Sequence, residues 1–348
     1  MNWIDYQKEF TAKSISAGYK KDYIERCLTY AHRLYERNLP IIYSLDHFAS
    51  LVGYEKSYLN YIAYRQNPFY RNFEIPKKSS GKREISEPLP NLKKIQRWVL
   101  DNILYRVSPS QYAKAFVPGR SIKANARFHR NQKMVLTLDI NNFFPRLSSK
   151  LVKQFFTKCG YSKKVTYYLT RLCVLNGGLP QGAPTSPALA NLMLKDFDLN
   201  IAKYCKSKTI RYTRYADDLT FSGVFAENEL IKQVKKELKK IDLELKNSKT
   251  RLMLKHQRQE VTGIVVNNKL QAPREFRRNL RQAIFYIEKY GLENHLAKLN
   301  EFRANYVSHL LGQANFVLFI NPRDQDALKA LEILKDCRSS NFMITSDD

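Results

Sequence analysis

The first stretch of the chain, up to about residue 65, carries Tyr, Leu and Ile at helical spacing with a polar remainder, as in "KKDYIERCLTYAHRLYE". This predicts an N-terminal helical cap. In "FEIPKKSSGKREISEP" the period changes, and two short strand-like pieces flank Ser79, Ser80 and Gly81, the signal of a hairpin with a strongly basic tip. "KMVLTLDI" (133 to 140) runs apolar up to Asp139, as a buried strand that delivers an acid at its end would. Helical sequence follows. "NGGLPQGAPTSP" (176 to 187) is a Gly and Pro loop, and Ser186 before Pro187 starts a helix through "ALANLMLKDFDLNIAKY".

"RYTRYADDLTFSG" (211 to 223) alternates aromatic and β-branched residues with polar ones around two adjacent acids, Asp217 and Asp218, and reads as a hairpin. "NELIKQVKKELKKI" puts Leu230, Ile231, Val234, Leu238 and Ile241 on one helical face, and "LELKNSKTRLML" resumes a strand-like pattern. Strand, helices, hairpin, helix and strand in that order make an antiparallel βαββαβ sheet backed by helices, in which Asp139 and the Asp217/Asp218 turn meet on adjacent strands. From about residue 271 the pattern is helical again. Arg274, Arg277, Arg278 and Arg281 form one face, and Phe276, Leu280, Ile284 and Ile287 form another that packs inward. There is no internal repeat, and the tail "SSNFMITSDD" reads as dispensable to a core.

Composition narrows the partners. In 348 residues, 59 Lys and Arg face 32 Asp and Glu, a formal charge of +27, while 44% hydrophobic content is ample for folded cores. The cations cluster, as in "KKSSGKR" and "REFRRNLR", which suits a phosphate backbone whose counterions they release. Five cysteines (Cys27, Cys159, Cys173, Cys205, Cys337) without a CxxC pair fit reduced thiols and a cytoplasmic location. The N-terminus "MNWIDYQKEF" lacks a signal pattern, and the longest apolar run, "NFVLFI" (315 to 320), is too short to cross a bilayer, so no membrane is expected.

Two like charges at a hairpin tip call for a cation. Nucleotidyl transfer uses two divalent ions about 3.5 to 4 Å apart, and hard oxygen ligands suit magnesium. Asp139 with Asp217 and Asp218 supplies such ligands; the bare string "YADD" would equally suit a solvated turn.

With its neighbours the string resembles the reverse transcriptases. Asp139 stands at the first acid motif, "NGGLPQGAPTSPALANL" at the nucleotide-positioning motif and "YADD" at the second acid motif, in family order, and the likeness spans roughly residues 65 to 320. The resemblance implies an α+β, right-hand polymerase fold: a cap (1–65), fingers with a ferredoxin-like βαββαβ palm (66–265), and a helical thumb (266–348) that binds RNA or the hybrid. It implies RNA-directed DNA synthesis with two Mg²⁺ ions at Asp139, Ile140, Asp217 and Asp218. Lys82 and Arg83 of "SSGKREI" would meet the triphosphate, and Gln181 would line the nucleotide pocket. Lys249 of "NSKT" would sit near the departing pyrophosphate, with Lys246 as its competitor and a solvated strand lysine as the plainer role.

Phe144, five residues after Asp139 in "DINNFF", falls where this family keeps a ring under the sugar that selects dNTPs; plain core packing is the other role open to it. "NARFH" (Asn125, Ala126, His129) and "VTG" (Val261, Thr262, Gly263) are similar to the two markers of the bacterial retron enzymes. Retron membership implies a cognate structured non-coding RNA, copied in part into multicopy single-stranded DNA (msDNA) from an internal guanosine 2′-hydroxyl. It implies trimming by host RNase H and an effector protein in anti-phage defence. His129 would have a structural or RNA-facing role. Arg274, Arg277, Arg278 and Arg281 would grip RNA, and Phe302 and Tyr306 would stack on bases or fill the thumb core. The rival readings are a group II intron-like or diversity-generating reverse transcriptase, and a catalytically idle RNA-binding scaffold.

Overall fold

A computed structural model describes residues 2–77, 81–300 and 305–343. Ser79 and Ser80 of the basic tip, Phe302 and the last five residues of the tail lie outside the described residues. The chain divides into two compact units, each built from separate stretches: Met1–Pro118, Asp139–Tyr204 and Asn228–Lys246 form the first, and Gly119–Leu138, Cys205–Glu227 and Asn247–Asp348 the second.

In the first unit, helices α1 (Trp3–Ser16), α2 (Lys21–Glu36), α3 (Leu45–Val52) and α4 (Lys56–Tyr64) fall within residues 1–65. Side-chain caps start two of them: Asn2 accepts from the Asp5 amide at 2.9 Å and Ser44 from the His47 amide at 3.1 Å. Strands β1 (Tyr70–Pro76) and β2 (Lys82–Pro88) pair antiparallel, and α5 (Pro90–Asn102) follows. The core gathers Leu59, Ile62, Ile95 and Val99 with Leu169 and Leu172 of α9 (Lys163–Cys173), all at most 1% exposed.

The second unit holds a four-stranded sheet in the order β4-β5-β3-β6, where β3 is Met134–Asp139, β4 Arg211–Tyr215, β5 Asp218–Gly223 and β6 Arg251–Leu254. This is the strand order of the βαββαβ plan. Helix α6 (Ile122–Phe128) precedes the sheet, and a small hairpin of β7 (Glu260–Val261) and β8 (Ile264–Val265) follows it. One apolar core joins Ala126 of α6, Val135 of β3, and Val261 and Ile264 of the small hairpin to the C-terminal helices. These are α13 (Arg274–Tyr290), α14 (Leu292–Leu299), α15 (Tyr306–Ile320) and α16 (Gln325–Met343).

Several boundaries differ from the sequence reading. The helix starting at Ser186 breaks at Leu194 into α10 (Ser186–Met193) and α11 (Lys195–Ser207). Helix α12 (Glu227–Lys239) ends before Ile241, so only Leu230, Val234 and Leu238 of the expected stripe are buried on it. "LELKNSKTRLML" is interrupted by a 3₁₀ turn at Asn247–Lys249. α16 continues to Met343, into the tail expected to be dispensable. All five cysteines are free thiols, and burial pushes the Cys173 thiol up to about 12, in keeping with an inert, reduced core residue.

Candidate active site

Asp139 is the last residue of β3. Val135, Leu136 and Leu138 bury the strand behind it, Asp139 itself is 6% exposed, and its carbonyl accepts from the Lys246 amide at 2.8 Å. Ile140 is buried and bridges Leu245, so the backbone stays paired one residue past the acid. The hairpin of β4 and β5 pairs Tyr215 with Asp218, which leaves Ala216 and Asp217 as a two-residue turn. Ala216 is buried at φ 56, in the left-handed region that few residues other than glycine adopt. Its carbonyl accepts from Nη1 of Arg214, whose side chain is fully buried beneath the turn. Asp217 and Asp218 are half-buried at the tip.

The donor set is carboxylate oxygen, which fits a hard divalent cation. No group of three or more His, Cys, Asp or Glu side chains among the described residues is gathered closely enough to hold a metal ion.

In the first unit, backbone hydrogen bonds connect the segments that carry Gln181 and Phe144 to the basic hairpin, whereas Lys249 belongs to the second unit. The Ser86 amide of β2 donates to the Gln181 carbonyl at 2.8 Å, tying the basic hairpin to the Gly and Pro loop. That loop also meets the short helix α7 (Phe143–Arg146), where the Leu179 amide donates to the Phe144 carbonyl at 3.2 Å. Gly178 is obligatory at this approach, because a Cβ there would lie 2.0 Å from the Pro145 carbonyl oxygen. Phe144 is half-exposed rather than packed away. Lys82 and Arg83 are exposed at the start of β2, and Lys82 pairs with Glu74 across the hairpin at 2.6 Å. Lys249 is exposed in its 3₁₀ turn.

Phe116 escaped the sequence reading. It is half-exposed at φ 56, an outlying conformation for a bulky residue, with its ring centroid 6.4 Å from that of Phe144. Nothing in "AKAFVPGR" marks it, since both the strain and the ring contact arise from packing. A cavity of about 490 Å³ in the same unit, walled by Leu151, Phe155, Leu192 and Phe197, contains none of the candidate residues.

The second unit joins the segments containing Asn125, Ala126 and His129 with those containing Val261, Thr262 and Gly263. Asn125, Ala126 and His129 are fully buried, and Asn125 Nδ2 donates to Thr262 Oγ1 at 3.4 Å. His129 bonds Thr213 and Ser222 on the two strands of the acid hairpin, each at 2.7 Å. The sequence reading missed Thr213 and Ser222; the available signal was a hydroxyl residue inside each buried strand. On α13 the arginine face is divided. Arg277 lies 3.7 Å from Asp324 and Arg281 3.1 Å from Asp326, whereas Arg274 and Arg278 are exposed with no ion pair among the described residues. Tyr306 is a core residue, 7% exposed, against His295 Nε2 at 2.9 Å.

Residues 75–266, more than half of the chain, match the family described as reverse transcriptase (RNA-dependent DNA polymerase). The chain belongs to that family, with its α+β right-hand polymerase fold and its RNA-directed DNA polymerase activity. Its relatives place it with the bacterial retron enzymes. It is 31% identical over 305 residues to the Retron Ec86 reverse transcriptase of Escherichia coli, covering 85% of this chain and 90% of that protein. It is 33% identical over 281 residues to the Retron Mx162 reverse transcriptase of Myxococcus xanthus, covering 69% of this chain and 58% of that one. Among solved structures, telomerase from Candida albicans bound to a fragment of telomeric RNA aligns over 77% of this chain and 63% of its own, with 11% identity and a TM-score of 0.43. No helix among the described residues is long and apolar enough to cross a membrane.

Proposed function

We propose that this polymerase copies part of a cognate, structured non-coding RNA into msDNA, starting from the 2′-hydroxyl of an internal guanosine and leaving a branched RNA–DNA product. The observation that carries this reading is the likeness to the E. coli retron enzyme over 90% of that protein's length. The presence of both "NARFH" and "VTG" supports it. The same reading assigns an effector protein as partner, a role in anti-phage defence and a cytoplasmic setting with host RNase H; the free cysteines suit that setting.

In this reading residues 1–65 are the cap, 66–265 the fingers and palm, and 266–348 the thumb. Asp139, Asp217 and Asp218, with the Ile140 backbone, would hold two Mg²⁺ ions, which when bound would acidify the attacking hydroxyl and neutralise the leaving pyrophosphate. Lys82 and Arg83, both exposed, neutralise triphosphate oxygens, Lys82 exchanging its Glu74 partner for the nucleotide. Phe144 lies under the sugar and excludes a 2′-hydroxyl, and Gln181 orients the nucleotide. Lys249 donates a proton to the departing pyrophosphate, a role for which Lys246 competes. Arg274 and Arg278, which have no ion pair among the described residues, hold the RNA backbone, since A-form duplexes are gripped by shape and phosphate rather than read in their deep groove. The acid-paired Arg277 and Arg281 contribute less to that grip.

The test is expression with the flanking non-coding RNA. The expected product is a discrete single-stranded DNA that stays joined to RNA after proteinase treatment and is freed by a debranching enzyme. Substituting the priming guanosine stops it while extension of an annealed primer continues. A linear, heterogeneous product primed from a 3′-end would refute the retron reading and leave the polymerase intact.

A further inference from the structure

The buried polar groups behind the acid hairpin have a direction. Strand pairing sets Arg211 opposite Ser222, Thr213 opposite Thr220 and Tyr215 opposite Asp218, so Thr213 and Ser222 share one hairpin face with Asp218. His129, fully buried at the end of α6, reaches both strands on that face: Nε2 lies 2.7 Å from Thr213 Oγ1 and Nδ1 2.7 Å from Ser222 Oγ. The Thr213 hydroxyl donates its only proton to Asn125 Oδ1, also at 2.7 Å. Thr213 must therefore accept from an Nε2–H, and the Nδ1 of a neutral ring then accepts from Ser222. The other end of the Asn125 amide donates to Thr262.

Thr262 is itself strained. It sits at φ 48 with Gly263 at φ 82, the two residues of the turn between β7 and β8. Two-residue turns call for positive φ, which Gly and Asn adopt readily and a β-branched residue does not. Thr at this position keeps a hydroxyl where Asn125 needs an acceptor. A second tie runs from Arg211 Nη1 to the Phe128 carbonyl at 2.8 Å, with the guanidinium over the Phe128 ring.

We propose that "NARFH" and "VTG" form one hydrogen-bonded brace that seats the Asp217/Asp218 hairpin, with His129 as a neutral, Nε2-protonated positioning residue for DNA synthesis on any template. The inference rests on the chain being an RNA-directed DNA polymerase and does not depend on retron priming. Thr213 lies opposite Thr220, two residues from Asp218, and Ser222 follows Asp218 by four, which puts the clamp about 7 to 13 Å from the tip at strand rise. At those lever arms a hairpin tilt of about 5° to 8° moves the carboxylates by about 1 Å, and a misplacement of that size costs about a hundredfold in rate.

The test compares His129→Ala, His129→Gln and Thr213→Val in the full chain. The assays are single-turnover extension of a generic annealed primer–template and binding of the flanking non-coding RNA; ¹⁵N-histidine spectra add a readout independent of activity. Thr213→Val keeps the side-chain shape and removes only the hydroxyl, so it serves if His129→Ala does not fold. The expected result is an extension rate lowered about a hundredfold in Thr213→Val and His129→Ala, with dNTP and RNA affinities changed by less than about twofold. His129→Gln, which can still donate to Thr213 and accept from Ser222, recovers about tenfold of that loss. The wild-type His129 resonance, identified by its absence in His129→Gln, shows a protonated Nε2 and a bare Nδ1. Normal extension in Thr213→Val with RNA affinity lost, or a protonated Nδ1, overturns the proposal. Failure of the wild-type chain to extend any primer would overturn the polymerase assignment instead.

Discussion

Ser86 donates its amide to the Gln181 carbonyl at 2.8 Å, so the base of the basic hairpin and the loop expected to line the nucleotide pocket move as one. Gly182 follows directly, at φ 128, where a Cβ would lie 2.9 Å from the Ser86 carbonyl oxygen. Gly182→Ala both pushes the hairpin off the loop and forces alanine into a glycine conformation, a strain of roughly 1–3 kcal/mol. The expected outcome is a lower melting temperature together with a raised KM for dNTP, measured by thermal unfolding and steady-state extension. A lower melting temperature with KM unchanged would separate this contact from nucleotide binding.

Asp217→Asn with Asp218→Asn is expected to abolish DNA synthesis while RNA binding persists, because neutral amides keep the shape of the tip but ligate magnesium poorly. Primer extension and RNA gel shift measured side by side check this. Full extension activity in the double variant would remove both residues from the chemistry.

Phe144→Ala is expected to raise the ratio of rNTP to dNTP incorporation. The ring is half-exposed beside Phe116 rather than sealed in the core, so its removal opens space without collapsing α7. An unchanged ratio in a folded, active variant would reduce Phe144 to a packing residue.

The arginines of α13 are expected to separate into two pairs. Arg274→Gln with Arg278→Gln removes cations with no acid partner among the described residues, and should lower the slope of log affinity against log salt by about one unit or less per lost phosphate contact. Arg277→Gln leaves Asp324, 8% exposed, without its cation, so it should lower the melting temperature more than Arg278→Gln does. Filter binding across a salt series and thermal unfolding check the two halves. Equal salt slopes for all four substitutions would mean that the acid pairs do not withhold Arg277 and Arg281 from RNA.

Short-range periodicity is legible in the residue order alone. One-sided burial at helical spacing placed the cap helices and α13, a strand-length apolar run placed Asp139 at a strand end, and alternation around "YADD" placed a hairpin with its acids at the tip. Each of these follows from neighbours within a few residues. Tertiary structure alone decided which distant polar groups meet. Asn125 and Thr262 are 137 residues apart, and nothing local to either predicts that one supplies the other's hydrogen bond. The same holds for Arg281, whose face reads as free cation until α16 brings Asp326 to 3.1 Å. The left-handed backbone of Ala216, Phe116 and Thr262 was equally illegible, because these residue types disfavour that conformation and only the surrounding packing and hydrogen bonds hold them there. Periodicity records which face of an element is buried; the partner that a buried hydroxyl, amide or imidazole finds is set by how the chain folds back on itself.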